Sequence, residues 1–492
     1  MQWLRTKSIE QAMADSDDPG RQLKRSLGVF DLMILGVAVA VGAGIFSVGA
    51  RAAGSFAGPA VIFSFILAAA TCAVATMCYA EFASKVPVTG SAYTYTYLTM
   101  GEGLAWIIGW NLMLEMIAAG AVIAKYWGIY LSIIFSTAGM DVPSTLHVGG
   151  ISFEWGPFFI VAVFTVLLII GTQTSARVNN VFTLIKVAIT LFVIVVGFTY
   201  IDFSNYSPFV PPSQPPVLGH GVTGDVWGQP MLAWLFGAQP SQYGWMGVIS
   251  GASLVFFAFI GFDVVATSAE EVKDPQKTLP RGIFGGLAVV TILYILVTLA
   301  LTGMVPYTEL AKAENPSLST AFINVGATWA AQVIAIGVLA GLTTVVMVLL
   351  MGSARILMAL SRDGLLPRSW SLTSAKRKTP VRLQLVVGVV IAFLAGFTKV
   401  ELLEEMINIG TLSAFVLVSI GILVLRKKRP ELVAGYRVPW VPFLPVLSAV
   451  LCTYLMLNLT TLTWVRFMAW MALGVVVYVC YGMRNSRLAK GE

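Results

Sequence analysis

Two apolar segments of the sequence are interrupted by glycine, at places where a helix break would free backbone groups for binding. The first reads Leu35-Gly-Val-Ala-Val-Ala-Val-Gly-Ala-Gly-Ile-Phe46, and the second reads Val255-Phe-Phe-Ala-Phe-Ile-Gly-Phe-Asp263. A lipid bilayer excludes unpaired peptide groups, and breaks are tolerated where the freed groups line a cavity. Matched breaks in two halves of a chain indicate a binding site at mid-depth. The alternative is that the small residues only allow close helix packing.

The two helix ends at such a break offer opposite charges to a ligand. A helix that follows a break begins with free N–H groups and the positive end of its dipole, which suit an anion. The helix that precedes the break ends in free carbonyls, which suit a cation. Gly42-Ala43-Gly44-Ile45 therefore suits a carboxylate, and the carbonyls of residues 39–41 and 257–260 suit an ammonium.

Four ionisable residues lie inside apolar segments, and such residues are functional candidates because burying their charge is costly. They are Glu115, Lys125, Lys186 and Asp263. Asp263 either meets the cationic end of a ligand or caps the helix after the break. Glu115 is a further polar cavity candidate. It lies ten residues from Lys125, on a different helix face, so we do not expect these two to pair.

The composition indicates that most of the chain lies in lipid. Of its 492 residues, 57% are hydrophobic and 11% are charged, and the mean hydropathy is +0.83, whereas soluble proteins carry about 25% charged residues. Each helical crossing needs about 20 apolar residues. The pattern predicts twelve spans, near 30–54, 58–84, 99–133, 156–172, 179–201, 244–270, 282–304, 329–361, 382–397, 402–425, 439–460 and 464–483.

The placement of Lys and Arg predicts that both termini are cytoplasmic. Twenty-five of the 31 Lys and Arg residues fall in segments on the side of the N-terminus, and four fall on the other side, as the positive-inside rule requires. The net charge of +7 is thereby explained as a topology signal, and it does not imply nucleic-acid binding. The N-terminal segment lacks the pattern of a cleaved signal peptide.

The spans divide the chain into five regions. Residues 1–28 form a polar cytoplasmic arm, residues 29–201 hold spans one to five, and residues 244–425 hold spans six to ten. Residues 202–243 form a long outer loop, which is either a cap over an entrance or a loose connection. Residues 426–492 hold spans eleven and twelve and a cytoplasmic tail. Spans one to five and six to ten can be superposed by their broken first members.

Four motifs carry a resemblance to a known superfamily. They are Gly42-Ala-Gly-Ile-Phe46, Tyr79-Ala-Glu-Phe-Ala-Ser-Lys-Val-Pro-Val-Thr-Gly-Ser-Ala-Tyr-Thr-Tyr95, Glu270-Glu-Val-Lys-Asp-Pro-Gln-Lys-Thr-Leu-Pro-Arg-Gly-Ile283 and Arg355-Ile-Leu-Met-Ala-Leu-Ser-Arg-Asp-Gly-Leu-Leu-Pro367. Together they resemble the amino acid–polyamine–organocation transporters, and most closely the bacterial relatives of the cationic amino acid transporters. The resemblance extends from Leu27 to about Gly482.

The resemblance implies an all-α polytopic membrane protein with a LeuT-type inverted repeat of five plus five helices, followed by two more. It implies that the two broken spans bind the carboxylate and ammonium of an amino acid, that Phe257 closes over it, and that span eight lines the side-chain pocket. Together with the helix-end argument, it assigns ten residues to the substrate site: Val41, Gly42, Ala43, Gly44, Ile45, Phe257, Ala258, Ile260, Asp263 and Met347.

Lys186 is the candidate for energy coupling. In related sodium-coupled proteins a sodium ion lies between spans one and eight, and in several proton-coupled relatives a lysine from span five lies there instead. Lys186 matches that position. Because burial disfavours a charged ammonium, such a lysine could release and regain a proton, holding span one when protonated and releasing it when neutral. The alternative is that its long stem snorkels to water.

The sequence thus predicts a secondary active transporter in the plasma membrane that imports cationic or small neutral L-amino acids with protons. It contains no Gly-x-x-x-x-Gly-Lys-Ser/Thr nucleotide loop and predicts no cofactor and no metal. An amino acid exchanger and a non-transporting amino acid sensor remain as alternatives. An intramembrane enzyme is disfavoured, because both histidines lie in predicted loops.

Overall fold

Long apolar helices make up the computed structural model of the chain, as the hydropathy pattern predicts. The structure describes residues 5, 27–85, 92–148, 150–171, 176–216, 225–237, 241–261, 265, 272–313, 315–372, 379–428, 430 and 436–490. Asp263, most of the 1–28 arm and parts of the 202–243 loop lie outside these residues.

Helices account for most of the described residues. The first ten α-helices are α1 (Val29–Ala40), α2 (Gly49–Ala52), α3 (Val61–Lys85), α4 (Ala92–Thr99), α5 (Glu102–Thr137), α6 (Trp155–Ile170), α7 (Ala176–Gly197), α8 (Met231–Phe236), α9 (Gly244–Val255) and α10 (Pro275–Met304). The rest are α11 (Tyr307–Lys312), α12 (Leu318–Asn324), α13 (Thr328–Arg362), α14 (Val381–Phe397), α15 (Val400–Lys428), α16 (Phe443–Leu457), α17 (Thr461–Val477), α18 (Met483–Asn485) and α19 (Arg487–Lys490).

Shorter elements join these helices. In the described part of the chain, three π-helical segments and five 3₁₀ turns lie between or next to them, at Gly44–Val48, Ala53–Ala57, Gly58–Ala60, Phe198–Tyr200, Phe203–Tyr206, Phe256–Phe259, Arg368–Ser371 and Tyr478–Gly482. Two strands, β1 (Thr145–Val148) and β2 (Ile151–Glu154), pair antiparallel with Thr145 opposite Glu154. This hairpin connects α5 to α6.

Among the described residues, seven helices are long and apolar enough to cross a membrane, and five shorter apolar helices accompany them. A described helix overlaps each of the twelve predicted segments, and the exact number of crossings stays a prediction. Spans one to five correspond to α1, α3, α5, α6 and α7, spans six to ten to α9, α10, α13, α14 and α15, and the last two spans to α16 and α17.

The helix pairing repeats between the two groups of five. α1 packs on α10 and α9 packs on α3; α7 packs on α13 and α15 packs on α5; α7 packs on α10 and α15 packs on α3. Each contact in the first group of five spans thus has a counterpart in the second group. The counterpart is found by replacing each span with the span five places away along the chain.

The described parts of the 202–243 loop are tied to neighbouring elements by backbone hydrogen bonds. The Met231 N–H donates to the Leu459 carbonyl at 2.9 Å, and the Thr461 N–H donates to the Gln229 carbonyl at 2.9 Å. These bonds join the loop to the α16–α17 connection, and its role as a cap over an entrance stays a prediction.

Candidate functional site

The first apolar span is broken where its glycine pattern predicts. α1 ends at Ala40, and Val41 is extended, with φ −71° and ψ 95°. Helical structure resumes at Ala43 and continues as the π-helical segment Gly44–Val48. The first N–H groups of a helix lack partners within that helix, so the Gly42–Ile45 amides are the donors available at this break.

The sixth span is broken as well, by a different backbone route. α9 passes at Val255 into the 3₁₀ turn Phe256–Phe259, and Ile260 is then extended, with φ −67° and ψ 140°. Gly261 follows with φ +104°, a conformation that favours glycine because it has no Cβ. Both interruptions on which the predicted binding site depends are therefore present in the fold.

The two breaks contact each other. A Cβ atom placed on Gly44 would lie 2.5 Å from the Cα of Ala258, so the two backbones approach more closely than any larger residue would allow. A Cβ on Gly261 would likewise collide with the Val39 side chain at the end of α1. The structure thus brings together predicted site residues that are more than 200 positions apart.

A tyrosine that sequence reasoning missed joins the two breaks. The Tyr294 hydroxyl on α10 lies 2.6 Å from the Ala40 carbonyl oxygen and 2.7 Å from the Ala258 carbonyl oxygen. Its side chain is fully buried. The only signal in the sequence is a tyrosine in an apolar span, whose hydroxyl requires a partner when buried.

Lys186 lies between α1 and α13. Its Nζ donates to the Ala38 carbonyl oxygen at 2.5 Å, and the residue is 4% exposed. A Cβ on Gly341 of α13 would lie 2.5 Å from the Lys186 Cγ, so this glycine makes room for the aliphatic stem. The ammonium therefore contacts the last turn of α1 instead of extending to the end of its helix.

Most of the remaining site predictions fall on buried positions, whereas Ile260 is partly exposed. Val41, Ala43, Ile45, Phe257, Ala258 and Met347 are all less than 9% exposed, as is Glu115 on α5. Met347 lies on α13, two turns from Gly341. Asp263 lies outside the described residues, so its two predicted roles stay predictions.

Charged residues form further contacts that the sequence did not reveal. Arg51, which follows the first break, pairs with the buried Glu404 of α15, and the Tyr126 hydroxyl donates to the same carboxylate at 2.5 Å. This group links α2, α5 and α15. Lys125, for which the sequence offers no partner, has its Nζ 2.5 Å from Glu154 at the end of β2.

Comparison with known proteins is consistent with this architecture. The profile of the amino acid permease family matches residues 27–479. The chain is 40% identical over 492 residues to the methylthioribose transporter of Bacillus subtilis, covering 99% of each chain.

Two further relatives cover most of the chain. It is 40% identical over 492 residues to the branched-chain amino acid permease BcaP of the same organism, covering 99% of this chain and 98% of the relative. It is 34% identical over 437 residues to the vacuolar cationic amino acid transporter 4 of Arabidopsis thaliana, covering 87% of this chain and 68% of that protein. A family match over this much of the sequence, with relatives that are transporters and not enzymes, identifies a multi-pass cell-membrane protein: the chain belongs to the amino acid permease family of the amino acid–polyamine–organocation superfamily.

Proposed function

We propose that this protein is a secondary active transporter that imports L-amino acids by alternating access. The observation that carries the proposal is the meeting of the two broken spans at Gly44 and Ala258. The amides that begin the helix after Val41 suit a carboxylate, and the carbonyls at Ala40 and Ala258 suit an ammonium. An α-amino acid carries both groups on one carbon, so one ligand satisfies both helix ends.

The same proposal includes an inverted repeat of five plus five spans, followed by α16 and α17. Its support is the pairing of the helices, in which α1 on α10 corresponds to α9 on α3, and α7 on α13 corresponds to α15 on α5. An odd number of spans in each half reverses the orientation of the second half. Such repeats place the substrate near mid-depth, between the broken helices.

For the side chain of the substrate, we propose a small neutral group. The side chains that we assign around it, Phe257, Ile260 and Met347, are apolar, and a methionine adapts to small or flexible partners. A cationic substrate requires a carboxylate instead, for which Asp263 and Glu115 are the candidates. The named substrates of the relatives include branched-chain and cationic amino acids, so the side-chain class is open to direct measurement.

Thermal-shift screening of the purified protein tests the ligand class. Ligands that bind the native state stabilise it by mass action, by about 2.7 kcal/mol when the ligand concentration is a hundred times Kd. The unfolding temperature rises as a result. The panel contains the twenty amino acids, their deaminated analogues and methylthioribose. We expect a shift with small neutral amino acids and none with deaminated analogues at equal concentration. A shift with methylthioribose alone would overturn the proposal.

We further propose that import is coupled to protons through Lys186. When protonated, its ammonium holds the Ala38 carbonyl and the last turn of α1. When it loses the proton, that turn is released and the first span can move.

Proteoliposome uptake at several values of external pH tests the coupling. Lys186→Met should remove the pH dependence of uptake and the accumulation driven by an imposed proton gradient, while exchange of internal for external substrate persists. Lys125→Met is the matched control, because Lys125 is equally buried in another span but pairs with Glu154. Its pH profile should match that of the unmodified protein. A proton-dependent profile in Lys186→Met would refute the role.

The two alternatives are distinguished by the same vesicles. A pure exchanger would take up labelled amino acid only into vesicles that already contain amino acid. A sensor would show ligand-induced stabilisation but no uptake in either condition. Accumulation into empty vesicles under a proton gradient supports the symporter.

A further inference from the structure

Tyr294 holds a position that neither the substrate site nor the coupling lysine explains. It lies on α10, which belongs to the seventh span, yet its hydroxyl reaches carbonyls of the first and sixth spans, at Ala40 and Ala258. Its ring is fixed by edge-on contacts with Phe65 and Phe259, with centroid separations of 5.5 and 5.2 Å. The hydroxyl is thus held between two helix ends by a rigid ring.

One hydroxyl cannot make two full-strength hydrogen bonds to both carbonyls at once. A phenol carries a single proton, while two carbonyl oxygens lie within 2.7 Å of the Tyr294 oxygen. The two carbonyls therefore share that proton in a bifurcated bond or accept it in turn, and each keeps accepting capacity for another donor. Ala40 is the last residue of α1, where carbonyls have no partner within the helix.

The same turn of α1 is held from two sides. Lys186 on α7 donates to the Ala38 carbonyl, and two residues further along the chain Tyr294 contacts the Ala40 carbonyl. Of these two side chains, Tyr294 is the one that also contacts the sixth span, through the Ala258 carbonyl. A movement of α1 that follows the release of Ala38 therefore changes how the Tyr294 hydroxyl is shared.

We propose that Tyr294 is a positioning residue for transport: its hydroxyl shares one proton between the Ala40 and Ala258 carbonyls, which keeps them side by side with accepting capacity left for the substrate ammonium, and makes the two broken spans move together. This inference rests on the proposed binding of an amino acid at the two breaks. It adds a residue from the seventh span that touches neither the substrate carboxylate nor its side chain.

Tyr294→Phe tests the inference, because it removes the hydroxyl and keeps the ring that packs on Phe65 and Phe259. The matched control is Tyr206→Phe, which removes a hydroxyl that donates to the Leu299 carbonyl at 2.7 Å near the outer end of the same helix. Losing one hydrogen bond to a carbonyl costs about 0.5–1.5 kcal/mol. We therefore expect KM for amino acid uptake to rise about 2- to 12-fold in Tyr294→Phe, and to stay within about twofold in the control.

A second measurement separates positioning from a general loss of packing. The inhibition constant of a deaminated analogue, which keeps the carboxylate and the side chain but has no ammonium, is measured beside the KM of the amino acid. In Tyr294→Phe the preference for the amino acid over its analogue should fall by the same factor as KM rises. An unchanged preference would overturn the inference, whether both ligands bind as before or both bind more weakly by the same factor.

Failure of the proposed function and misfolding of the variant are both distinguishable from failure of this inference. If the unmodified protein neither binds nor transports amino acids, the proposed function fails first. If Tyr294→Phe does not fold, 3,5-difluorotyrosine is placed at position 294, since it keeps the ring and hydroxyl but changes the strength of the donor. A changed preference for the amino acid supports the inference, and an unchanged preference overturns it.

Discussion

Gly44→Ala is expected to weaken substrate binding without unfolding the protein, because a methyl group at this position would push the two broken spans apart. The added Cβ would lie 2.5 Å from both the Cα and the Cβ of Ala258. Carbon atoms in contact prefer about 3.5–4.0 Å, so the two backbones must separate by about 1 Å. Neither atom belongs to a flexible side chain that could turn away.

The magnitude follows from the cost of overpacking. Forcing an extra methyl group into a well-packed site costs about 1–3 kcal/mol. If this cost raises the free energy of the state in which the ligand is bound at both breaks, KM increases about 5- to 150-fold. Gly49→Ala is the matched control, because it lies in the same span and its added Cβ would meet Phe65 at an ordinary contact distance of 3.4 Å.

The assay is initial-rate uptake into proteoliposomes, together with the ligand-induced thermal shift of each purified variant. Gly44→Ala should lose most of the shift and raise KM, and Gly49→Ala should behave like the unmodified protein. A wild-type KM in Gly44→Ala would refute the reasoning, since it would mean that the contact between Gly44 and Ala258 has no part in holding the ligand.

Two further predictions concern buried ion pairs. Glu404→Gln should lower the free energy of unfolding in detergent by about 1–3 kcal/mol, because the partly buried Arg51 loses its buried charged partner and keeps only the exposed Glu401. Glu401→Gln should cost about 0–1 kcal/mol, since the Glu401 side chain is 53% exposed, and equal losses would contradict this. Glu81 accepts hydrogen bonds from Arg426 and from the Val438 N–H, so Glu81→Gln should speed hydrogen exchange at the Val438 amide, whereas an unchanged rate would show that this clamp does not hold the α15–α16 connection.

The sequence predicted the helices well because hydropathy is a local property. A described helix overlaps each of the twelve predicted apolar segments, since a run of about 20 apolar residues favours a helix in lipid regardless of what it packs against. The two breaks were also predictable. Gly42 and Gly44 in one span and Gly261 in another stand where an apolar run would otherwise continue, and Gly261 adopts a backbone conformation that other residues rarely reach.

The position of Lys186 was predicted only in part. A lysine inside an apolar span signals a functional group, and the resemblance to a transporter family indicated the first and eighth spans as its neighbours. Which carbonyl it contacts depends on the rotation of α1 about its own axis. That rotation, which selects Ala38, is set by packing against α10 and α7.

By itself, the sequence determined the apolar spans, the two interruptions and the family, because each of these depends on residues that are close together in the chain. Only the tertiary structure decided which groups meet at the breaks. Tyr294 contacts Ala40 across 254 positions, and Arg51 contacts Glu404 across 353. Such contacts depend on the relative depth and rotation of helices that are distant in the chain, and these are fixed by the packing of whole helix faces, so no local pattern specifies them.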